Sequence, residues 1–369
     1  MNTIIGELGK SEKFKDLVKQ IEEKTSPIEI SGLTDVAEVS AIAGLNQFTK
    51  KPIFIITYNE IQAKKIVDNL KYFVDNDKVC FFPKKEILTY DYIAESKYLP
   101  YERIDVLNKI YDNKNIIVVT TIEAIKQKLI SKKELYKNKL KFKVGQMCNL
   151  DDIKQKLVNL GYVRYDLIDA RGEFSIRGGI VDISLSDIVG VRIELWGDEI
   201  DSIRYFNIVS QRSTNEIKNI EINPAHEFVL EKSIDEVCLK IGENIYDNKR
   251  QEILENDLEE IKNGNYISKV DKYFNSFYEN QETILDFLND KYLIFIDELN
   301  KIESRDMTIN EENERLAKAL IEKEKIVPQS IQNTVNLEDI KNQLEKKQVI
   351  YIEKLNTTTK TNMTKYNLK

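Results

Sequence analysis

The residues at the first strand–helix junction fall in the frame of a phosphate-binding loop. The P-loop pattern GxxxxGK[ST] places glycines where backbone N–H groups approach the phosphates, a lysine that neutralises their charge, and a hydroxyl that holds Mg²⁺. Gly32 occupies the first position, but Ala37, Glu38 and Val39 stand in place of the second glycine, the lysine and the hydroxyl residue. A carboxylate at position 38 would repel a phosphate, so ATP binding is not expected. The junction is either an ordinary turn with one glycine or a P-loop that has lost its function.

An apolar run that ends in two acidic residues forms the second candidate site. Residues 292–296 (YLIFI) precede Asp297 and Glu298. This is the order of a Walker B strand, in which the aspartate holds Mg²⁺ and the glutamate polarises the attacking water. Apolar strands that end in acidic residues are common, so the segment also fits a purely structural strand end. Without a working P-loop to bind a nucleotide, the two carboxylates would have no catalytic function.

Six polar or aromatic residues lie on or beside predicted strands in the middle of the chain. Segments 173–177 (EFSIR) and 191–196 (VRIELW) alternate apolar and polar residues, which is typical of antiparallel strands with one buried and one exposed face. Arg177 and Arg192 fall on the polar side, so we expect both guanidinium groups to be exposed and unneeded for the core. Glu194 is expected to orient Arg192 or to pair with a basic group of a partner. The full set is Arg164, Arg177, Arg192, Glu194, Trp196 and Arg204.

This polar strand face has two interpretations. Arginine is favoured at protein interfaces because its planar fork makes bidentate pairs with carboxylates. The same spacing fits a strand face that is merely solvated, and spacing alone does not decide between them. Gly178 and Gly179, directly after Arg177, indicate a bulge or a close approach of two backbones.

The 369-residue chain has few of the histidine and cysteine residues that catalytic sites commonly use. His226 is the only histidine, so any Ser-His-Asp, Cys-His or histidine-ligated metal site would have to use it. The three cysteines lie far apart, which favours a reducing cytoplasm over a disulfide framework. The net charge of −7 predicts weak and non-specific DNA binding at most. We expect no catalytic residues, no metal, no cofactor and no membrane-spanning segment.

Two strand patterns predict the architecture. Continuous apolar runs, such as 52–57 (PIFIIT) and 116–120 (IIVVT), alternate with helical patterns in the first part of the chain and predict a parallel α/β sheet. The half-exposed antiparallel strands predict a separate small α+β domain. The run at 292–296 resembles the first type, so the small domain is expected to be an insertion. The predicted boundaries are 1–140 and 226–330 for the two halves of the α/β domain, 141–225 for the inserted domain, and 331–369 for a tail or the start of another domain.

The segment 172–213 matches a known pattern closely. It reads GEFSIRGGIVDISLSDIVGVRIELWGDEIDSIRYFNIVSQRS. It resembles the inserted domain of the bacterial transcription-repair coupling factors and, more distantly, that of the excision-repair protein UvrB. The matching elements are GEFxxRGGIxDI, RIExWGDEIDSIR and SQR, in order and at the family spacing. Further segments similar to the family are FFP at 81–83, YD at 90–91, ERI at 102–104, NPAHEF at 223–228 and TILDF at 283–287.

The resemblance changes the interpretation of each candidate site. It implies a helicase-like α/β domain, a degenerate P-loop after Gly32, and a Walker B relic at Asp297 and Glu298. In the family, the inserted domain is the docking surface for UvrA. The residues that match those implicated in docking are Arg164, Arg177, Arg192 and Glu194, whereas UvrB has a further arginine where this chain has Ser175.

The resemblance also implies a role for the whole chain. It is expected to be the N-terminal part of a coupling factor, which recruits UvrA to RNA polymerase stalled at damage and helps to restrain an ATP-dependent DNA translocase. Its partners would be UvrA, the remaining domains of the same protein and, through them, RNA polymerase and DNA. No helicase motifs are present in this sequence, so the chain itself is expected not to be an enzyme.

Two alternatives are compatible with parts of the sequence. One is a nucleotide hydrolase or a fragment of a UvrB-like damage-verifying helicase. Glu38 disfavours it, because it stands where such a protein has a lysine. The short interval between Tyr92 and Glu102 also leaves no room for the long aromatic hairpin of UvrB-like proteins. The other is an unrelated α/β binding protein, which the match at 172–213 disfavours.

Overall fold

A computed structural model describes residues 3–85, 99–229, 233–243, 251–263, 267–270, 272–323, 333–354 and 363–368. The motif residues Tyr90, Asp91 and Tyr92 lie outside these ranges. The chain divides into two compact units. Unit 1 comprises Met1–Glu95, Val106–Lys128 and Ile234–Lys369, and unit 2 comprises Ser96–Asp105 and Leu129–Ser233.

The secondary-structure elements are numbered in chain order. The strands are β1 (Ile28–Ser31), β2 (Ile53–Thr57), β3 (Val79–Phe82), β4 (Ile117–Thr121), β5 (Leu129–Ile130), β6 (Leu140–Lys143), β7 (Val163–Arg164), β8 (Glu173–Arg177), β9 (Ile180–Ser184), β10 (Val189–Trp196), β11 (Glu199–Asn207), β12 (Ser213–Ile217), β13 (Asn219–Ile222), β14 (Gln281–Glu282), β15 (Leu293–Asp297), β16 (Gln348–Glu353) and β17 (Thr364–Asn367). The helices are α1 (Thr3–Leu8), α2 (Glu12–Glu22), α3 (Asp35–Thr49), α4 (Glu60–Leu70), α5 (Leu99–Tyr111), α6 (Ile122–Ile125), α7 (Lys132–Lys137), α8 (Leu150–Asn159), α9 (Ile234–Glu243), α10 (Gln251–Lys262), α11 (Ile267–Val270), α12 (Phe274–Phe277), α13 (Ile284–Phe287), α14 (Leu299–Glu322) and α15 (Leu337–Leu344).

Unit 1 is built on a seven-stranded parallel sheet. The strand order is β17-β1-β16-β15-β2-β4-β3, and every neighbouring pair is parallel. Strands β2, β4 and β15 are buried along their whole length, as expected for apolar runs covered on both faces by helices. The predicted α/β architecture is therefore confirmed.

The end of the chain belongs to the main sheet. The sequence predicts a tail or the start of another domain for 331–369. Instead, β16 lies between β1 and β15 in the sheet, and Val349, Ile350 and Ile352 are buried. Strand β17 extends the same sheet as an edge strand next to β1. The prediction of a tail was wrong because the six-residue run of β16 is flanked by a polar, lysine-rich segment.

Unit 2 is built on a separate six-stranded sheet with the order β12-β11-β10-β9-β8-β7. Its neighbours are antiparallel except for the short parallel pair of β7 and β8. A second antiparallel pair joins β6 to β13. One face of the sheet packs with α8 and β6 around a core that includes Phe174, Val191, Ile193 and Leu157. The predicted antiparallel α+β domain is confirmed.

Two motif segments that are distant in sequence meet inside unit 2. The buried guanidinium of Arg103 pairs with the buried carboxylate of Glu227, and its Nη2 atom donates to Glu227 Oε2 at 3.1 Å. His226 packs between Tyr101 and Phe228, with ring centroids 5.3 Å and 5.4 Å away. The ERI and NPAHEF segments therefore form one buried contact.

None of the helices within the described ranges is both long enough and apolar enough to cross a membrane.

Candidate functional site

The loop after β1 is too short to enclose a phosphate. Gly32 adopts a left-handed conformation with φ of +80°, which a residue with a side chain rarely adopts. Helix α3 already begins at Asp35, after the N-cap residue Thr34. Glu38 therefore lies within the helix and is buried, rather than in a loop that could wrap around a phosphate.

The carboxyl group of Glu38 lies in an environment that favours its protonated form. Burial, and next the nearby carboxylate of Asp297, raise the pKa of Glu38 to about 8 from an ordinary value of 4.5. The ammonium of Lys354 opposes this rise only in part, and Asp35 and Glu298 add to it. This environment is the opposite of the positive site that a nucleotide phosphate requires.

Two lysines near the start of α3, Lys65 and Lys354, are already paired with a carboxylate. Asp35 accepts a hydrogen bond from Lys354 Nζ at 2.8 Å and forms an ion pair with Lys65. These two partners lower the pKa of Asp35 to about 2. Asp35, in the first turn of α3, thus forms ion pairs with both lysines.

The two acidic residues after the Walker B strand also have protein partners. Asp297 is fully buried, and its Oδ2 atom accepts hydrogen bonds from Thr57 Oγ1 at 2.7 Å and Gln62 Nε2 at 3.1 Å. Burial raises the pKa of Asp297 although both hydrogen bonds oppose the rise. Glu298 has a left-handed φ of +60°; its Oε1 atom accepts the Lys354 N–H at 2.7 Å. The Asp297 contacts join β15 to β2 and α4, and the Glu298 contact joins the ends of β15 and β16.

Within the described ranges, no three or more histidine, cysteine or acidic side chains lie together in a group able to hold a metal ion.

The second candidate site is the face of the unit 2 sheet opposite its main core, here called the arginine face. One row of residues crosses this face from strand to strand, because each member lies directly opposite the next in the register. The row consists of Ser175, Asp182, Arg192, Arg204 and Glu216.

Asp182 is the centre of this row and was missed by the sequence analysis. It is fully buried, with 0% of its surface exposed. Arg192 Nε donates to its Oδ1 atom at 2.7 Å, and Arg192 Nη2 and Arg177 Nη2 each donate to its Oδ2 atom at 2.9 Å. The signal that could have found it is a lone acid in the otherwise apolar and small segment 180–184 (IVDIS).

Arg192 is not an exposed surface residue, contrary to expectation. Only 17% of its side chain is exposed. Its guanidinium makes a bidentate pair with Asp182 and lies 4.8 Å from the centroid of the Phe206 ring. The hydrogen bond to Asp182 raises the pKa of Arg192. Alternation predicted the correct face but not this burial, because the small cluster of Ile168, Phe206 and Ile208 lies on the same face.

The other predicted docking residues have different environments. Arg177 is 48% exposed although it contacts Asp182, and Arg164 is exposed on β7. Glu194 accepts a hydrogen bond from Ser202 Oγ at 2.8 Å and lies 3.7 Å from Arg204 Nη2. The expected orientation of Arg192 by Glu194 is therefore wrong, because Asp182 has that function. Ser175, where UvrB has an arginine, is buried.

Comparison with known proteins agrees with this geometry. Residues 140–228 match the family described as the UvrB interaction domain, and the whole arginine face lies within this segment. The fold thus combines a segment similar to the UvrB interaction domain with a parallel α/β unit.

Most of the chain is also similar to transcription-repair-coupling factors. The one from Bacillus subtilis (strain 168) is 31% identical over 340 residues, which is 89% of this chain and 29% of the relative. Those from Staphylococcus aureus strains MRSA252 and bovine RF122 / ET3-1 are 30% and 29% identical, over 79% of this chain and 26% of each relative. The resemblance predicted from the sequence motifs is confirmed, and the chain spans less than a third of the length of these relatives.

Proposed function

We propose that this chain is the UvrA-docking part of a transcription-repair coupling factor and that unit 2 makes the contact. The proposal rests chiefly on the pair of arginines that Asp182 holds on one face of the UvrB interaction domain. In this arrangement the exposed Arg177 is fixed before a partner arrives, so less side-chain entropy is lost on binding. The recruited UvrA would be brought to RNA polymerase stalled at damage, within the cytoplasm.

The proposed role of unit 1 is mechanical support without nucleotide hydrolysis. The early start of α3, the buried Glu38 and the pairing of Lys65 and Lys354 with Asp35 all disfavour a bound phosphate. The resemblance to the coupling factors further suggests that this part of the chain helps to restrain the translocase of the full-length protein and contacts its remaining domains. Its own DNA binding is proposed to be weak and non-specific, since the chain carries a net charge of −7.

The docking proposal is tested by titrating purified UvrA into the full chain and into an Arg177→Ala variant. A desolvated charged contact at an interface costs about 2–5 kcal/mol when one partner is removed, so we expect the variant to bind at least ~30-fold more weakly. Arg315→Ala is the matched control, because Arg315 is an exposed arginine on α14 of unit 1.

The results separate the parts of the proposal. Absence of UvrA binding by the unmodified chain would contradict the docking function itself. Binding that is equally strong in the Arg177→Ala and Arg315→Ala variants would place the contact outside the arginine face.

A further inference from the structure

Half of the residues in the segment 132–143 are lysines. The segment reads KKELYKNKLKFK and contains six lysines but one acid, Glu134. The chain as a whole carries a net charge of −7. Positive charge is therefore concentrated in one short stretch, which forms α7 and β6 of unit 2.

Helix α7 exposes a pair of lysines that does not stabilise the helix. Lys133 and Lys137 lie four residues apart on one face, and both are exposed. Like charges at this spacing destabilise a helix slightly. Lys133 also stands in the first turn, where the helix dipole disfavours positive charge. Within the described ranges neither lysine forms an ion pair, so the stability of α7 does not account for this pair.

Strand β6 continues the positive surface. Lys141 and Lys143 are exposed, whereas Leu140 and Phe142 are buried, so the two lysines lie on the same face of the strand. Residues two apart on a strand are separated by about 7 Å. One strand of duplex DNA carries a phosphate for about every 3.4 Å of its axis. The two lysines therefore span the axial rise of about two phosphates.

A groove beside β6 joins these lysines to α8. It has a volume of about 620 Å³ and lies within unit 2. Its lining includes Lys137, Lys139, Lys141 and Lys156. Among the described residues that line it, Asp152 is the one acid, and its carboxylate pairs with Lys156 at 3.1 Å. The groove is therefore bordered mainly by positive charge.

One carboxylate on the neighbouring strand is shared by two of the lysines. Glu221 lies opposite Lys141 in the register of β6 and β13; it pairs with Lys141 at 2.9 Å and also with Lys139. Lys139 and Lys141 together lower the pKa of Glu221 to about 2. Lys143 lies opposite Asn219 instead of an acid. The positive charge is thus only partly compensated. We call this region the lysine surface; it consists of Lys133, Lys137, Lys139, Lys141, Lys143 and Lys156.

We infer that the lysine surface binds the phosphate backbone of duplex DNA, an inference that rests on and deepens the weak DNA binding proposed above. Lysine ammonium groups are compact point charges that bind phosphate without a fixed orientation. Contacts of this kind position a protein on DNA but carry no sequence information. The binding is therefore non-specific.

The aromatic residues of the same segment favour a duplex over a single strand. Proteins that bind single strands present exposed aromatic side chains on which the bases stack. Tyr136 and Phe142 are the aromatic residues of 132–143, and both are buried. The segment thus offers charge for a phosphate backbone but no platform for unpaired bases.

The lysine surface and the arginine face lie on different sides of unit 2. Strand β6 and helix α8 pack on the core side of the six-stranded sheet, whereas the arginine face is the opposite side of that sheet. Unit 2 can therefore contact DNA and UvrA at the same time.

The test measures fluorescence anisotropy of a labelled, undamaged duplex of mixed sequence at several salt concentrations. The unmodified full chain should bind with a Kd between about 10⁻⁶ and 10⁻⁴ M. The variant Lys137→Gln, Lys141→Gln, Lys143→Gln should bind at least ~10-fold more weakly at low salt. Each phosphate contact contributes about 0.9 to the slope of log K against log salt concentration, so the slope of this variant should be shallower by about 2.7.

The matched control is Lys10→Gln, Lys15→Gln, Lys19→Gln, which changes the net charge by the same amount. These three lysines are exposed in unit 1, near the start of the chain. The control should bind the duplex like the unmodified chain. Both variants should melt at the temperature of the unmodified chain, because their lysines are exposed.

A second measurement needs no variant. Reductive methylation of the unmodified chain, followed by mass spectrometry, reports which lysines the duplex covers. We expect DNA to protect Lys137, Lys141 and Lys143 but not Lys10 and Lys15.

The inference is overturned if the unmodified chain does not bind the duplex at low salt, if both triple variants bind it equally well, or if DNA protects none of the three lysines of the surface. Tighter binding of a single-stranded oligonucleotide of the same length would also overturn it. So would tighter binding of poly-glutamate, which would assign the surface to an acidic protein segment.

UvrA binding is the separate readout for the docking function. The lysine-surface variant should bind UvrA as tightly as the unmodified chain does. If the unmodified chain does not bind UvrA, the docking proposal fails, while the DNA measurements still decide the role of the lysine surface.

Discussion

Asp182 shows how one buried carboxylate can organise a surface. Two guanidinium groups from neighbouring strands converge on it, and one of them remains half exposed. Asp182 is thus the counter-ion both of Arg192, which supports the fold, and of Arg177, which is available to a partner. Mutations of the two arginines should therefore have different consequences, although both residues lie on the same face.

We predict that Arg192→Ala lowers the free energy of unfolding by ~2–4 kcal/mol, whereas Arg177→Ala lowers it by less than about 1 kcal/mol. Removing the bidentate partner of a buried carboxylate leaves its charge poorly compensated, here with only the half-exposed Arg177 beside Asp182, while an exposed pair contributes little. Urea unfolding of both variants measures the difference. In Arg192→Ala plus Asp182→Ala, part of the loss should be recovered, because no poorly compensated carboxylate is then left buried.

Equal stability of Arg192→Ala and Arg177→Ala would contradict the assignment of Arg192 to support of the fold and of Arg177 to docking. Any loss of UvrA affinity measured for Arg192→Ala would then reflect a direct contact.

Glu38 makes a pH-dependent contribution to stability. Its folded-state pKa of about 8 lies above the ordinary value of 4.5. Between these two values the folded state holds a proton that the unfolded state has released, so the free energy of unfolding falls as pH rises. The charged groups that determine this are Asp297, Lys354, Asp35 and Glu298. Above about pH 8 both states are ionised and the contribution no longer changes.

We predict that Glu38→Gln is more stable than the unmodified chain and that its advantage grows from pH 5 to pH 8. The slope of the difference should approach about 1.4 kcal/mol per pH unit, the value for one proton. Urea unfolding across this pH range measures it. Glu7→Gln is the control, since Glu7 is exposed on α1. A difference that is flat with pH, or that shrinks as pH rises, would show that Glu38 is ionised in the folded protein.

At the scale of elements, sequence patterns predicted whether a strand is buried on one face or on both. They did not predict reliably which strands lie next to each other in a sheet. Continuous apolar runs gave parallel strands β2, β4 and β15, and alternation gave β8 and β10. These patterns report how many faces of a strand are buried, which is a local property. The neighbours of a strand are not local, which is why β16 was not predicted.

We predict that a chain ending at residue 330 loses the cooperative unfolding of unit 1. It lacks β16 and β17, so β1 loses both of its neighbours and β15 loses one of its two. Circular dichroism during heating measures the transition. A chain ending at residue 362 is the control, because it lacks only the edge strand β17. A sharp unfolding transition of unit 1 in the chain that ends at 330 would contradict the assignment of β16 as a structural strand.

At the scale of the whole molecule, the sequence motifs predicted the kind of protein but not how its segments combine. The arginine face was located by motif and alternation, yet Asp182 and the burial of Arg192 depend on cross-strand register, which periodicity does not reveal. Glu38 in the P-loop frame predicted that phosphate would not bind, but no pattern predicted the pairing of Asp35 with Lys354, a residue that follows β16 near the end of the chain. Long-range pairs of this kind were beyond the sequence analysis.

The pair of Arg103 and Glu227 has a consequence for how this domain can be inherited. The segment that matches the UvrB interaction domain ends at residue 228 and begins at 140, so it includes Glu227 and omits Arg103. Recombination between genes at those boundaries would transplant a buried carboxylate without its cation. The unit that can be exchanged intact is therefore larger than the family match, and the turn of α5 that carries Arg103 must be transferred with it.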